Sequence, residues 1–143
     1  MLDKQNQYSN AQSISSSTTS TNYINHGADR NLGMGTPLVV EMVVTTALDA
    51  GTGDETYSAV LQTDDNSSFS SASTVASFST MTRGDAAGTR YFAIIPPTTV
   101  MEQYSRISFT LGGTTPSLAV SAWLRPYNDV TQEAYYADAI TPY

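Results

Sequence analysis

The sequence predicts an all-β protein, a single jelly-roll-like β-sandwich of about eight or nine antiparallel strands with an extended N-terminal arm. Three observations predict this fold class. Apolar and polar residues alternate with a period of two in several short segments, Gly, Pro and Asp separate those segments, and no long stretch follows the 3.6-residue period of a helix. The chain of 143 residues shows no linker and no internal repeat. We therefore expect an arm over residues 1–20 and one sandwich domain over residues 21–143.

The first segment is polar and ends in the run SISSSTTST. A disordered tail is one interpretation of such a composition. Leu2, Tyr8 and Ile14, however, are spaced like anchors along an extended segment. We expect an arm that becomes ordered against the domain or against a partner, with these three residues as candidate interface residues.

The clearest strand is PLVVEMVVTT, residues 37–46. Both of its faces are apolar except at Glu41, which is typical of a central strand covered on both sides. Alternating segments at 57–63 and 74–80 predict further strands, and RYFAIIPP predicts one that its two prolines end.

The stretch RISFTLGGTTPSLAVSAWL, residues 106–124, alternates on both sides of a Gly/Pro turn and predicts a β-hairpin. Leu118, Val120, Ala122 and Leu124 are expected to face the core, which places Trp123 on the opposite face. Trp is enriched at interface hot spots, so Trp123 is a candidate contact residue. The alternative is that the C-terminal segment covers Trp123, through Tyr135 or Tyr136. The remaining candidate interface residues are Tyr127, Tyr135 and Tyr136.

Composition excludes several classes of function. The net charge is −7 and the five arginines are scattered, which disfavours binding to nucleic acid or to an anionic membrane. The absence of cysteine removes disulfides, thiolate chemistry and zinc or iron–sulfur sites built on cysteine. The sequence shows no secretory signal and no membrane-spanning segment, so we expect neither. Low charge with abundant Ser, Thr, Gly and Tyr is typical of all-β extracellular or virion proteins.

Few residues suggest chemistry. The single histidine, His26, could form a triad with Asp29 and a serine, although a polar loop histidine is the simpler interpretation. Glu41 could act as an acid, or it could pair with an arginine or lie at an interface. The DDNSS segment at 64–68 lacks the spacing of a calcium loop and is better explained as a capped turn. We therefore expect no enzymatic activity, no metal and no cofactor.

Several quoted segments carry a family resemblance when they are read in order. The opening MLDKQNQYSNAQ, the phrase STNYIN followed by GADRNLGMGTPL, the segment LQTDDNSSFSSAS and the closing YADAI resemble small capsid cement, or decoration, proteins of short-tailed bacteriophages. This resemblance implies a jelly-roll-like sandwich on the outer surface of the virion capsid. It implies binding to the major capsid protein and to the chain itself, as a homodimer or a trimer, and it carries no catalytic residues.

An adhesive role follows from the resemblance, in which one rigid body bridges neighbouring shell subunits against internal DNA pressure. The alternative is a carbohydrate-binding jelly-roll module of a phage fibre or surface protein. Exposed aromatic side chains beside Asp or Asn would suit such a sugar site.

Overall fold

The computed structural model describes residues 4–32 and 35–130. A 3₁₀ turn at Lys4–Asn6 precedes the first strand. The longest helical segment among the described residues is a single turn at 127–130. The strands are β1 (Gln7–Ile14), β2 (Thr18–Thr19), β3 (Ile24–Asn25), β4 (Arg30–Asn31), β5 (Leu38–Thr46), β6 (Thr56–Asp64), β7 (Ser73–Ser77), β8 (Arg90–Ile94), β9 (Val100–Met101), β10 (Tyr104–Gly112) and β11 (Leu118–Pro126). The predicted all-β fold is confirmed.

Two antiparallel sheets form the sandwich. The first sheet has the order β1-β11-β5-β8, and the second has the order β2-β10-β6-β7 with β3 also paired to β10. The short strands β4 and β9 form a separate two-stranded ribbon. As the sequence predicts, β5 is a central strand, with β11 on one side and β8 on the other.

Eight strands of the two sheets pair in a nested order. β6 pairs with β7, β5 with β8, β2 with β10 and β1 with β11. Among these eight strands, every connection except β6–β7 crosses from one sheet to the other. A long hairpin wrapped into two facing sheets would produce this pairing.

The core lies between the sheets and is made by the inward side of each alternating strand. β5 contributes Val40, Met42 and Val44, and β10 in the second sheet contributes Ile107 and Phe109. Predicted core residues of β11 are also there: Leu118, Val120 and Ala122 are buried in this cluster, with Leu124 packed against it.

The predicted hairpin at residues 106–124 is wrong in one respect. Both strands exist, but β10 belongs to the second sheet and β11 to the first, so the turn between them crosses the sandwich. Gly113 has a φ of +88°, and a Cβ there would lie 2.7 Å from the carbonyl carbon of Asp54. The Asp54 carboxylate accepts hydrogen bonds from the backbone amide and the hydroxyl of Thr114. The hydrogen bond from the amide is the main cause that lowers the pKa of Asp54 to about 2. These contacts fix the crossing.

The described part of the predicted arm is ordered against the domain, which is one of the two outcomes that the sequence analysis gave. β1 is an edge strand of the first sheet and pairs with β11 from Gln7 to Ile14. Its Tyr8 and Ile14 belong to the core, with 0% and 2% of their surface exposed. The described part of the segment is therefore a strand of the sandwich, because its apolar side chains are needed to complete the core.

Candidate functional site

The outer face of the first sheet carries a regular array of side chains. Strand register places them in three cross-strand rows on β11, β5 and β8, facing away from the core cluster. The rows are Ser121–Val43–Arg90, Trp123–Glu41–Phe92 and Arg125–Val39–Ile94.

Glu41 stands at the centre of this outer face. Its carboxylate is 1% exposed and pairs with guanidinium groups from both neighbouring strands. Arg90 Nη2 lies 2.7 Å from Glu41 Oε1, and Arg125 Nη1 donates a hydrogen bond to Glu41 Oε2. Glu41 therefore has the arginine-paired role that the sequence analysis gave as the alternative to an acid.

Apolar side chains surround the ion pairs. Trp123 and Phe92 flank Glu41 in its own row and are half-buried, and Val43 is half-buried in the next row. Ile94, at the edge strand, is 53% exposed. The central charge is compensated while aromatic and aliphatic surface stays accessible, a composition that resembles the middle of a protein interface.

A second surface lies on the other side of the sandwich, on the outer face of the second sheet. The Tyr23 ring is 52% exposed and meets two other rings edge-on. Its centroid lies 5.6 Å from that of Tyr104 and 6.1 Å from that of Phe69. The Arg106 guanidinium lies over Phe69, with Cζ 4.3 Å from the ring centroid, and Arg106 Nε donates to Gln62 Oε1 at 3.0 Å.

The loop after β6 holds Phe69 in an unusual conformation. Phe69 has a φ of 52°, in the left-handed region, which costs a bulky residue about 1–2 kcal/mol. The buried Asp64 carboxylate accepts hydrogen bonds from the amides of Asn66 and Ser71, both at 2.8 Å. These bonds make the capped turn that the sequence predicts at DDNSS, and they hold the Phe69 ring against Tyr23.

Four carboxylates lie together beside this loop. A hydrogen bond with Asp64 raises the pKa of Asp65, and desolvation together with the charges of Asp64 and Asp29 also raises it. Burial raises the pKa of Glu102, as do the charges of Asp64, Asp65 and Asp29. Glu102 Oε2 is buried and has no hydrogen-bond partner among the described residues. We call Tyr23, Phe69, Tyr104 and these four carboxylates the Tyr23 surface.

The histidine predicted as a possible triad member lies elsewhere. His26 Nε2 is 2.9 Å from Ser105 Oγ, which also forms a 2.7 Å hydrogen bond with the Tyr8 hydroxyl. Burial lowers the pKa of His26, and the Arg30 charge lowers it further. Ser105 is fully buried, and His26 makes no hydrogen bond to Asp29 in the part of the chain that the structure describes. This network ties β1 to β10 and the loop after β3.

The predicted interface residues have different positions. Tyr8 and Ile14 are buried in the chain's own core, which corrects their assignment to an intermolecular surface. Trp123 lies on the outer face of the first sheet, opposite the core residues of β11, as the alternation predicts. Tyr127 is 38% exposed. Leu2, Tyr135 and Tyr136 lie outside the described residues.

Tyr23, Phe69 and Ile94 were not singled out from the sequence as contact residues. Ile94 had a usable signal, because it alternates with the core residues Ala93 and Ile95 at the end of β8. Tyr23 and Phe69 are brought together only by tertiary contacts, so no local pattern indicates their pairing.

Two further properties concern the described residues alone. No group of three or more His, Asp or Glu side chains across 4–32 and 35–130 is placed to hold a metal ion. In the same ranges, no helix is long and apolar enough to cross a membrane.

Comparison with known proteins gives one family. No curated protein matches the chain. The sequence model named Bbp16 matches residues 8–124, from the second residue of β1 into β11, and so spans both sheets. This match supports a phage-associated protein and is compatible with a location in the virion. Because the match covers well over half of the sequence, the chain belongs to the Bbp16 family.

Proposed function

We propose that this protein is a structural cement protein that binds the outer surface of an assembled phage head and bridges neighbouring major capsid protein subunits. The observation that carries the proposal is the outer face of the first sheet. There, partly exposed Trp123, Phe92 and Ile94 surround a carboxylate that two arginines already neutralise. Family membership adds support for a phage setting.

The mechanism is adhesion by a stiff body. Each contact of ordinary size buries roughly 1,600 Å² in total. When one folded domain holds two shell subunits, the second contact becomes effectively intramolecular, so the combined affinity exceeds that of either contact alone. Self-association into a homodimer or a trimer would multiply the contacts at a symmetry axis, and it forms part of the proposal. The nested strand pairing supports the stiffness that this mechanism needs.

The test is co-sedimentation with heads of the phage that encodes this chain, prepared without it. Ile94→Asp introduces a charge onto the outer face of the first sheet at a side chain that is 53% exposed, so the fold should tolerate it. We expect about tenfold weaker binding, the loss typical of an interface anchor.

Val100→Asp is the matched control, because Val100 is an aliphatic strand residue that is 58% exposed but lies on β9, outside this face. Its binding should equal that of the wild type. Failure of the wild-type protein to sediment with heads would contradict the proposed function.

A carbohydrate-binding module is the second candidate. The exposed Tyr23 ring favours it, because aromatic rings next to amides suit sugar rings, and the Asn25 and Gln103 amides hydrogen-bond to each other beside Tyr104. A glycan array probed with the isolated protein tests this candidate, and binding that Tyr23→Ser abolishes would support it.

A further inference from the structure

The Tyr23 surface presents a rigid aromatic anchor. Tyr23 is half exposed, yet the Tyr104 and Phe69 rings hold it at 5.6 and 6.1 Å. An anchor whose rotamer is already fixed loses little conformational entropy when a partner binds it. Phe69 has a left-handed φ, so the loop is locally strained in this arrangement of rings.

The carboxylates of the same surface are not paired with a cation among the described residues. Asp29, Asp65 and Glu102 form no ion pair with a described residue, and Glu102 Oε2 is buried without a partner in that part of the chain. Arg106, the cation of this surface, lies over Phe69 and is bonded to Gln62 instead. Carboxylates that destabilise one another gain from the approach of an external cation.

We infer that the Tyr23 surface binds a Lys- or Arg-bearing segment of a protein partner. A long basic side chain can lay its apolar stem on an aromatic ring while its charged end reaches a carboxylate. The net charge of −7 adds long-range attraction to a basic partner surface. This inference rests on the proposed function, in which the partner is a shell subunit other than the one that contacts the first sheet.

The acidic neighbours favour a basic protein over a glycan. A neutral sugar can donate hydroxyl hydrogen bonds to carboxylates but brings no positive charge, whereas a lysine or arginine relieves the repulsion between them. Salt therefore separates the two classes of partner, because charge attraction between exposed groups weakens as ionic strength rises.

The test measures binding of the full chain to heads lacking it, at several NaCl concentrations. Tyr23→Ser should weaken binding about tenfold or more, as expected for an aromatic hot spot. The double variant Asp65→Asn/Glu102→Gln should weaken binding and flatten its dependence on salt. The matched control, the isosteric Asp49→Asn at another loop carboxylate, should bind like the wild type. Thermal unfolding confirms that every variant is folded.

The outcomes are distinguishable. This inference is wrong if the wild type binds heads and both Tyr23→Ser and the double variant bind them with the same affinity. That result leaves the proposed function intact. Salt-independent binding to a glycan array that Tyr23→Ser abolishes also overturns it, in favour of a sugar site. Absence of any binding of the wild type to heads overturns both the proposed function and this inference.

Discussion

Substitution of Glu41 is expected to lower the free energy of unfolding more than substitution of any other single residue of the outer face. The substitution Glu41→Gln removes the carboxylate charge that pairs with both Arg90 and Arg125 across the sheet. The Arg125 side chain is 10% exposed, so the change removes the negative charge of Glu41 from beside a largely buried guanidinium. Breaking a buried pair in this way costs about 3–5 kcal/mol, which is a large part of the stability of an ordinary domain.

The two ion pairs should contribute unequally. The Arg90 side chain is 42% exposed, so solvent screens its interaction with Glu41, and such pairs contribute about 0–1 kcal/mol. Double-mutant cycles in urea unfolding isolate each pair from the other contacts of its arginine. We expect a coupling energy of several kcal/mol for Glu41 with Arg125 and at most about 1 kcal/mol for Glu41 with Arg90.

An apolar replacement provides the control for this reasoning. Glu41→Met/Arg125→Met removes both charges at once, and its free energy of unfolding should lie much closer to that of the wild type than Glu41→Gln does. The reasoning is refuted if the Arg90 coupling equals or exceeds the Arg125 coupling, or if Glu41→Gln changes stability by less than about 0.5 kcal/mol.

Two other predictions concern the fold. Gly113→Ala should destabilise the protein by at least about 1 kcal/mol more than Gly88→Ala. Both glycines have φ near +90°, but only a Cβ at residue 113 would lie against the Asp54 backbone. Equal decreases in the free energy of unfolding, measured by chemical denaturation, would show that this clash does not matter. His26 has a lowered pKa in the folded state, so the unfolded chain binds its proton more readily and stability is lost as the pH falls below about 6.5. The difference in unfolding free energy between the wild type and His26→Gln should therefore change between pH 7.5 and 5.5, with the wild type losing more, and a difference that stays constant over that range would contradict this.

Alternation predicted which faces of the strands are buried, and it did not predict which strands pair. Leu118, Val120 and Ala122 face the core as expected, since a period of two fixes the sides of a strand. Gly and Pro occur both in hairpin turns and in turns that cross between sheets, so the residues around Gly113 predict a turn without indicating which kind. Only the contact with Asp54, about 60 residues away, distinguishes the two cases.

The candidate surfaces were predictable to different degrees. Glu41 stands out in the sequence because a carboxylate interrupts an apolar strand, but its partners do not, since Arg90 and Arg125 become neighbours only through the register of β8 and β11 on β5. Tyr23 and Phe69 had no local signal. A left-handed Phe in a loop is a tertiary effect, maintained by hydrogen bonds to Asp64.

A cement protein differs from a simple binder because it must hold two subunits at once, and this difference can be measured. The outer face of the first sheet and the Tyr23 surface lie on opposite sides of the sandwich, so Ile94→Asp and Tyr23→Ser each leave one contact intact. At saturating concentration each single variant should still occupy heads through its remaining face, because mass action compensates for lower affinity. Neither variant should protect the heads, because a protein that is bound through one face does not link two shell subunits. Heat-induced DNA release from saturated heads measures this protection. Full protection by either single variant at full occupancy would mean that the shell is stabilised through one face alone, and bridging by these two surfaces would then be wrong.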